Sequence, residues 1–140
     1  MILDAGGGLC LDYRRFRYCG GTTALPTYEK IGDHTEALRV TFDPKVLDMN
    51  KLFKMFWDLH DPMPMSFTGT QYRSAIFYHG NSQKAVAEYV KKELIGDSPF
   101  SSPTELTALE PAGPFYRAEG YHQRFISKQR NGGFAWHPNI

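Results

Sequence analysis

Apolar residues recur along this chain with two different periods, and the changes between them mark out its elements. Over residues 36–42 apolar and polar positions alternate, with Leu38, Val40 and Phe42 on one side and Arg39 and Thr41 on the other. A period of two is that of a strand with one face on a core. A shorter strand is predicted over residues 13–18, ended by the turn at Gly20-Gly21. From there to Asp33 the chain is turn-rich, with Pro26 and Gly32 as punctuation. Residues 73–79 form the most apolar strand, and residues 104–109 predict another. Between the strands the period lengthens to that of a helix. Residues 49–60 place Leu52, Phe53, Phe56 and Trp57 on one stripe, behind Asp48 as a cap for the first turn. Pro62 and Pro64 end that helix and open a loop to Gly69. A second helix is expected behind Ser82 as cap, with Val86, Tyr89, Val90 and Leu94 inward and Gly96 as its stop. After a Ser/Pro loop at 97–103 and the strand at 104–109, a last helix is expected over 118–128, with Tyr121 and Phe125 inward.

Strands alternating with helices predict an α+β fold, a two-layer sandwich of one sheet covered by helices. At 140 residues this is one domain, 1–140, large enough for a single core without staples. The Gly-rich residues 1–12 and the tail 131–140 are expected to be poorly ordered. A composition of 41% hydrophobic and 22% charged residues is that of an ordinary globular chain. The formal charge of +1 argues against a nucleic-acid partner, which calls for a basic face. No apolar run reaches the length of a membrane span, and the opening Met-Ile-Leu-Asp lacks the basic flank of a signal peptide. Cys10 and Cys19 cannot make a disulfide framework, so a reducing compartment, the cytosol, is the simplest address. His34, His79, His122 and His137 show no metal-ligand spacing, and no metal is expected.

Five blocks carry more specific information: Tyr18-Cys19-Gly20-Gly21, Pro26-Thr27-Tyr28-Glu29, Gly32-Asp33-His34-Thr35-Glu36, Phe56-Trp57-Asp58-Leu59-His60-Asp61-Pro62 and Gly69-Thr70-Gln71-Tyr72-Arg73-Ser74. In order and rough spacing they resemble the A-type peptide methionine sulfoxide reductases, in the branch with Gly-Asp-His-Thr-Glu. The run Pro114-Phe115-Tyr116-Arg117-Ala118-Glu119-Gly120-Tyr121-His122-Gln123 is also similar to that family, and the resemblance covers residues 15–128. It implies a mixed sheet in a two-layer arrangement related to the ferredoxin-like fold.

The resemblance also implies a chemistry: thiol-dependent reduction of methionine-S-sulfoxide, in proteins or free, as repair of oxidative damage. A thiolate attacks the sulfur and a carboxyl with two phenols supplies protons or hydrogen bonds to the oxygen. Tyr18 and Tyr72 match the two tyrosines as catalytic and substrate-binding groups, Glu36 is the expected proton donor, and Glu29 is its alternative. The family's thiol lies in Gly-Cys-Phe-Trp-Gly at a helix start, where the helix dipole lowers its pKa. That pentapeptide occurs nowhere in the 140 residues. The segment from Gly6 to Tyr13 is similar to a Gly-Gly-Gly-Cys-Phe-Trp opening and offers Cys10 as nucleophile. Cys19 reads as structural, and the C-terminus holds no resolving cysteine. The family implies no bound cofactor, thioredoxin or another dithiol as reductant and partner, and a monomer. The competing reading is an N-terminally truncated, catalytically inactive member that binds methionine sulfoxide or a protein partner without turnover.

Overall fold

The structure is a computed structural model and describes residues 2–5, 15–97 and 101–118. Its strands are β1 (Ile2–Ala5), β2 (Arg15–Cys19), β3 (Thr35–Phe42), β4 (Ala75–Tyr78), β5 (Ala108–Pro111) and β6 (Tyr116–Arg117). The helices are α1 (Met49–Asp58), the single turn α2 (Met65–Thr68) and α3 (Gly80–Ile95), followed by a 3₁₀ turn at Pro103–Leu106. The strands form one six-stranded sheet in the order β5-β4-β1-β3-β2-β6. β1 runs parallel to β3 and β4, and β4 parallel to β5. β2 is antiparallel to both β3 and β6, so the sheet is mixed. With α1 and α3 packed on one face, this is the two-layer α+β sandwich the pattern predicts.

The main core lies between that face and the helices. Val40 and Phe42 from β3 and Ile76 from β4 meet Leu52, Phe53 and Trp57 of α1 and Ala87 and Val90 of α3. A fully buried Phe53 or Ile76 contributes about 1.5–3 kcal/mol each by leaving water. α1 begins where expected, with Asp48 Oδ1 accepting the Asn50 N–H at 2.9 Å.

The other face of the sheet is also covered, which the alternation in residues 36–42 did not anticipate. Cys19, Ala37, Ala75 and Phe77 form a second buried cluster, closed by Ala108, Ala112 and Phe115. The return of the chain between β5 and β6 brings Ala112 and Phe115 over that face, so Ala37, on the side of Arg39 and Thr41, is buried.

Four further expectations are corrected. Residues 2–5, within the opening expected to lack order, contribute the central strand β1. Ser82 is not the cap of α3: the helix begins at Gly80, and the buried Gln83 accepts the His79 N–H through its Oε1 at 2.7 Å. The inner stripe of α3 is accordingly Gln83, Ala87 and Val90, which turns Tyr89 outward (57% exposed) to donate to Glu93. Residues 104–109 are not one strand, because Ser102, Pro103 and Glu105 are start signals for a helical turn and Ser102 Oγ accepts the Thr104 N–H. The strand follows instead at Ala108–Pro111. The expected helix beyond Ala118, the tail 131–140, Cys10 and Tyr13 lie outside the described residues.

Candidate active site

The site is assembled where β3 begins. Tyr18 in β2 pairs with Glu36 in β3 on one side and with Tyr116 in β6 on the other. Directly opposed residues of an antiparallel pair share a face, so Tyr18 and Glu36 stand side by side. Tyr18 is 1% exposed, whereas Glu36 is only half-buried. Alternation sends Cys19 to the opposite face, where burial pushes its thiol pKa up and backbone hydrogen bonds from Gly113 and Gly20 only partly offset this. A buried thiol with little thiolate is a poor nucleophile. The following Gly20 has φ +79°, and a Cβ there would run into the Phe77 ring. Only glycine meets both demands without strain.

The loop from 20 to 34 is folded back on itself by Asp33 and His34. Asp33 Oδ2 accepts the Thr22 N–H and hydroxyl, both at 2.7 Å, and Oδ1 accepts the Thr23 N–H at 3.0 Å and hydroxyl at 2.7 Å. The fully buried His34 accepts the Gly21 N–H on Nδ1 at 3.2 Å and faces the Thr23 carbonyl through Nε2 at 2.7 Å. An Nδ1 that accepts leaves the proton on Nε2, which donates to that carbonyl. A Cβ on Gly21 would meet Asp33 Oδ1 at 2.6 Å, so the second glycine is required by the closeness of this clamp.

Those four donors, the Thr23 hydroxyl foremost, hold the Asp33 carboxyl far below the ordinary carboxylate range. A depressed folded-state pKa means that the clamp's contribution is complete above the ordinary value of 3.8 and is lost as pH falls through the folded-state value. Hydrogen exchange at the Thr22 and Thr23 amides is therefore expected to stay protected from neutral pH down to about pH 4, well above the folded-state value. Asp33→Ala should remove that protection throughout. Equal protection in the variant would show that the carboxylate does not hold the loop.

A second loop, residues 69–73, docks on the same strand end. The Glu36 N–H donates to the Gln71 carbonyl at 2.9 Å, and the Thr35 hydroxyl to the Thr70 carbonyl at 3.1 Å. Arg73 anchors the loop from beneath, with Nε donating to Thr35 Oγ1 at 2.8 Å and its two terminal nitrogens to the two Glu110 carboxylate oxygens at 2.5 and 2.9 Å. The guanidinium also lies over the Phe77 ring at 5.7 Å.

The two loops meet through their tyrosines. The Tyr28 and Tyr72 hydroxyls are 3.3 Å apart, and Gln71 Nε2 donates to the Tyr72 hydroxyl at 3.1 Å. The Tyr72 pKa is pushed up to about 12, first by the hydrogen bond with Tyr28, then by burial, with the nearby Tyr28 and Glu36 charges adding to it. Tyr72 is thus a protonated phenol across the physiological range, and at 56% exposure it is open to a ligand.

Of the residues singled out in the sequence, the structure gathers Glu36, Tyr18 and Tyr72 around the start of β3. Tyr18 is the strand partner of Glu36, and Tyr72 follows Gln71, whose carbonyl accepts the Glu36 N–H. Glu29 is exposed and, among the described residues, has no hydrogen-bond or ion-pair partner. Tyr28 and Gln71 were missed as site residues. The signal for Tyr28 is the block Pro26-Thr27-Tyr28-Glu29, in which a phenol stands next to the carboxylate. Cys10 lies outside the described residues. Among the described residues no group of three His, Cys, Asp or Glu side chains could hold a metal ion.

A sequence model of the family Peptide methionine sulfoxide reductase matches residues 14–138. Peptide methionine sulfoxide reductase MsrA of Methanosarcina acetivorans is 42% identical over 120 residues, covering 80% of this chain and 63% of that one. The protein of the same name from Methanoculleus marisnigri is 42% identical over 124 residues, covering 83% and 74%. The chain thus spans less than two thirds of the length of the Methanosarcina relative. Among solved structures it is similar to Mxr1 from Saccharomyces cerevisiae in reduced form, with TM-score 0.73 and 28% identity over 86% of this chain and 72% of that one.

Proposed function

This chain belongs to the peptide methionine sulfoxide reductase family, and from that premise we propose that it reduces methionine-S-sulfoxide, in proteins or as the free amino acid, to methionine. The observation that carries the reading is the Tyr28–Tyr72 hydroxyl pair beside Glu36, a set of proton donors on an accessible edge. A sulfoxide oxygen is a strong acceptor, and its S–O bond breaks only as the oxygen gains a proton. Glu36 supplies that proton and Tyr72 holds the oxygen, while the buried Tyr18 stands beside Glu36 in the sheet. In the net step a cysteine thiol takes the oxygen to become a sulfenic acid while the sulfoxide becomes a thioether. Two external thiols then return the cysteine, releasing water and a disulfide. A thioredoxin-type dithiol of the cytosol is the reductant, and the burial of Cys19 supports resolution by an external thiol.

Cys10 is the nucleophile in this proposal. Arg15 pairs with Arg39, so it stands three residues along β3 from Glu36, roughly 10 Å at strand spacing. The chain from Cys10 to Arg15 is five Cα–Cα steps, a length that spans up to about 18 Å when extended and so exceeds that separation.

The departure from Gly-Cys-Phe-Trp-Gly favours a second reading, a member that binds the sulfoxide without turnover. One assay separates the two. Incubation with dithiothreitol and a peptide carrying both sulfoxide epimers should consume the S epimer alone, and Cys10→Ser should abolish the loss. Consumption no faster than with dithiothreitol alone would overturn the reductase reading in favour of the second.

A further inference from the structure

We propose that Glu110, on the edge strand β5, is a positioning residue for the loop 69–73: through Arg73 and Thr35 its carboxylate sets where that loop docks on β3. The proposal deepens the reductase reading and rests on it for its catalytic part. Its docking part stands on the contacts alone.

A guanidinium is planar and carries five N–H donors and no acceptor, so fixing two of its nitrogens fixes the direction of the third. In Arg73 the two terminal nitrogens meet the two Glu110 carboxylate oxygens at 2.5 and 2.9 Å, one nitrogen to each oxygen. The surroundings hold the plane. The Phe77 ring centroid lies 5.7 Å from Arg73 Cζ, and a Cβ on Gly20 would stand 3.0 Å from Nη2. Held in this way, the group aims Nε at Thr35 Oγ1, 2.8 Å away.

Thr35 passes this orientation on. Its hydroxyl oxygen accepts from Arg73 Nε, and its one proton goes to the Thr70 carbonyl at 3.1 Å. One residue further along each chain, the Glu36 N–H donates to the Gln71 carbonyl at 2.9 Å. Two adjacent bonds thus pin the loop to β3, and the first is steered by a carboxylate 37 residues from Arg73. With side chains 14% and 34% exposed, the Arg73–Glu110 pair is only partly screened by water. The raised Arg73 pKa has the Glu110 hydrogen bond as its first cause, against the opposing effect of burial. Without the carboxylate, a mostly buried cation loses its partner and turns toward water, which draws Nε off Thr35. A lysine at this position, with a single point of charge, could not reach Glu110 and Thr35 in the same fork.

The test follows amide hydrogen exchange in the full chain. Glu110→Ala should speed exchange of the Glu36 amide by roughly 10- to 100-fold, the scale of a lost hydrogen bond to a charged group. Glu110→Gln keeps one acceptor and should speed it less. The Val90 amide, inside α3, should be unchanged. Unchanged exchange at Glu36 would overturn the proposal. So would equal acceleration at Val90, which would make the pair a prop of the whole fold. On the S epimer, Glu110→Ala should lower kcat by roughly tenfold with KM little changed, since the loop carries Tyr72. Combining Glu110→Ala with Arg73→Lys should cost no more than the worse single variant, as for groups acting in series. Additive losses, or a loss confined to KM, would overturn the catalytic part. An unmutated chain without turnover would end the reductase reading, and exchange at Glu36 would still decide the docking.

Discussion

Replacing Glu36 by Gln is expected to lower kcat on the S epimer by about 10²-fold or more while the fold is kept, the scale of a lost general acid. The substitution is clean because the dock of the 69–73 loop uses the Glu36 backbone N–H and not its side chain. A glutamine keeps the shape and loses only the transferable proton, so kcat and kcat/KM should fall together. Glu29→Gln is the companion variant, and near-normal turnover is expected because Glu29 is exposed and bonded to none of the site groups. Steady-state rates for the two variants decide between the carboxylates. A large loss in Glu29→Gln beside normal turnover in Glu36→Gln would move the proton donor off the strand and overturn the assignment. Tyr72→Phe should cost less than Glu36→Gln, and combining it with Tyr28→Phe should cost less than the sum, as expected for groups that work as a unit.

The largest effect on stability is expected at Trp57. This side chain is buried in the main core, packs edge-on against Phe56 at 5.5 Å, and donates its indole N–H to Thr107 Oγ1 at 2.9 Å. From there a chain of hydroxyls runs through Ser74 to His60, with Thr107 and Ser74 oxygens 2.9 Å apart and His60 Nε2 2.8 Å from Ser74 Oγ. His60 Nδ1 faces the Phe56 carbonyl at 2.7 Å and must donate to it, so Nε2 accepts. Every donor then points the same way, from Trp57 through Thr107 and Ser74 to His60. Trp57→Ala should cost about 3–5 kcal/mol in denaturant unfolding, from the cavity and the broken chain together. That is a large share of the roughly 5–15 kcal/mol that holds a domain. Trp57→Phe keeps most of the ring and removes the donor, so a loss of about 1–3 kcal/mol is expected. If Trp57→Phe were as stable as the unmutated chain, the hydroxyl chain would contribute nothing.

The His60-Asp61-Pro62 corner illustrates how far local reading reaches. A histidine just past a helix, followed by a proline, reads as a helix-ending corner, and its contact with the Phe56 carbonyl is of that kind. The contact with Ser74 is not legible, because nothing local places residue 74 beside residue 60. α3 shows the same limit in reverse. Its apolar period predicts an inner stripe through Val86, Tyr89, Val90 and Leu94, but a buried glutamine turns the inner face to Gln83 and Ala87 beside Val90. A polar residue at a core position is invisible to a hydrophobic count until its partner, the His79 N–H, is known.

What the sequence determined by itself is the succession β2, β3, α1, β4 and α3, the Asp48 cap, the two-layer class and the blocks that mark the family. These follow from periodicity, capping chemistry and residue order, which act over a few neighbours. Only the tertiary structure decided that the Tyr28 hydroxyl meets that of Tyr72 while Glu29 stands exposed, that Cys19 is buried with Ala37 and Phe77, and that both faces of the sheet are covered. Each of those depends on contacts between residues far apart in the chain. Such contacts are set by strand register and loop docking, and no local pattern of polar and apolar residues encodes them.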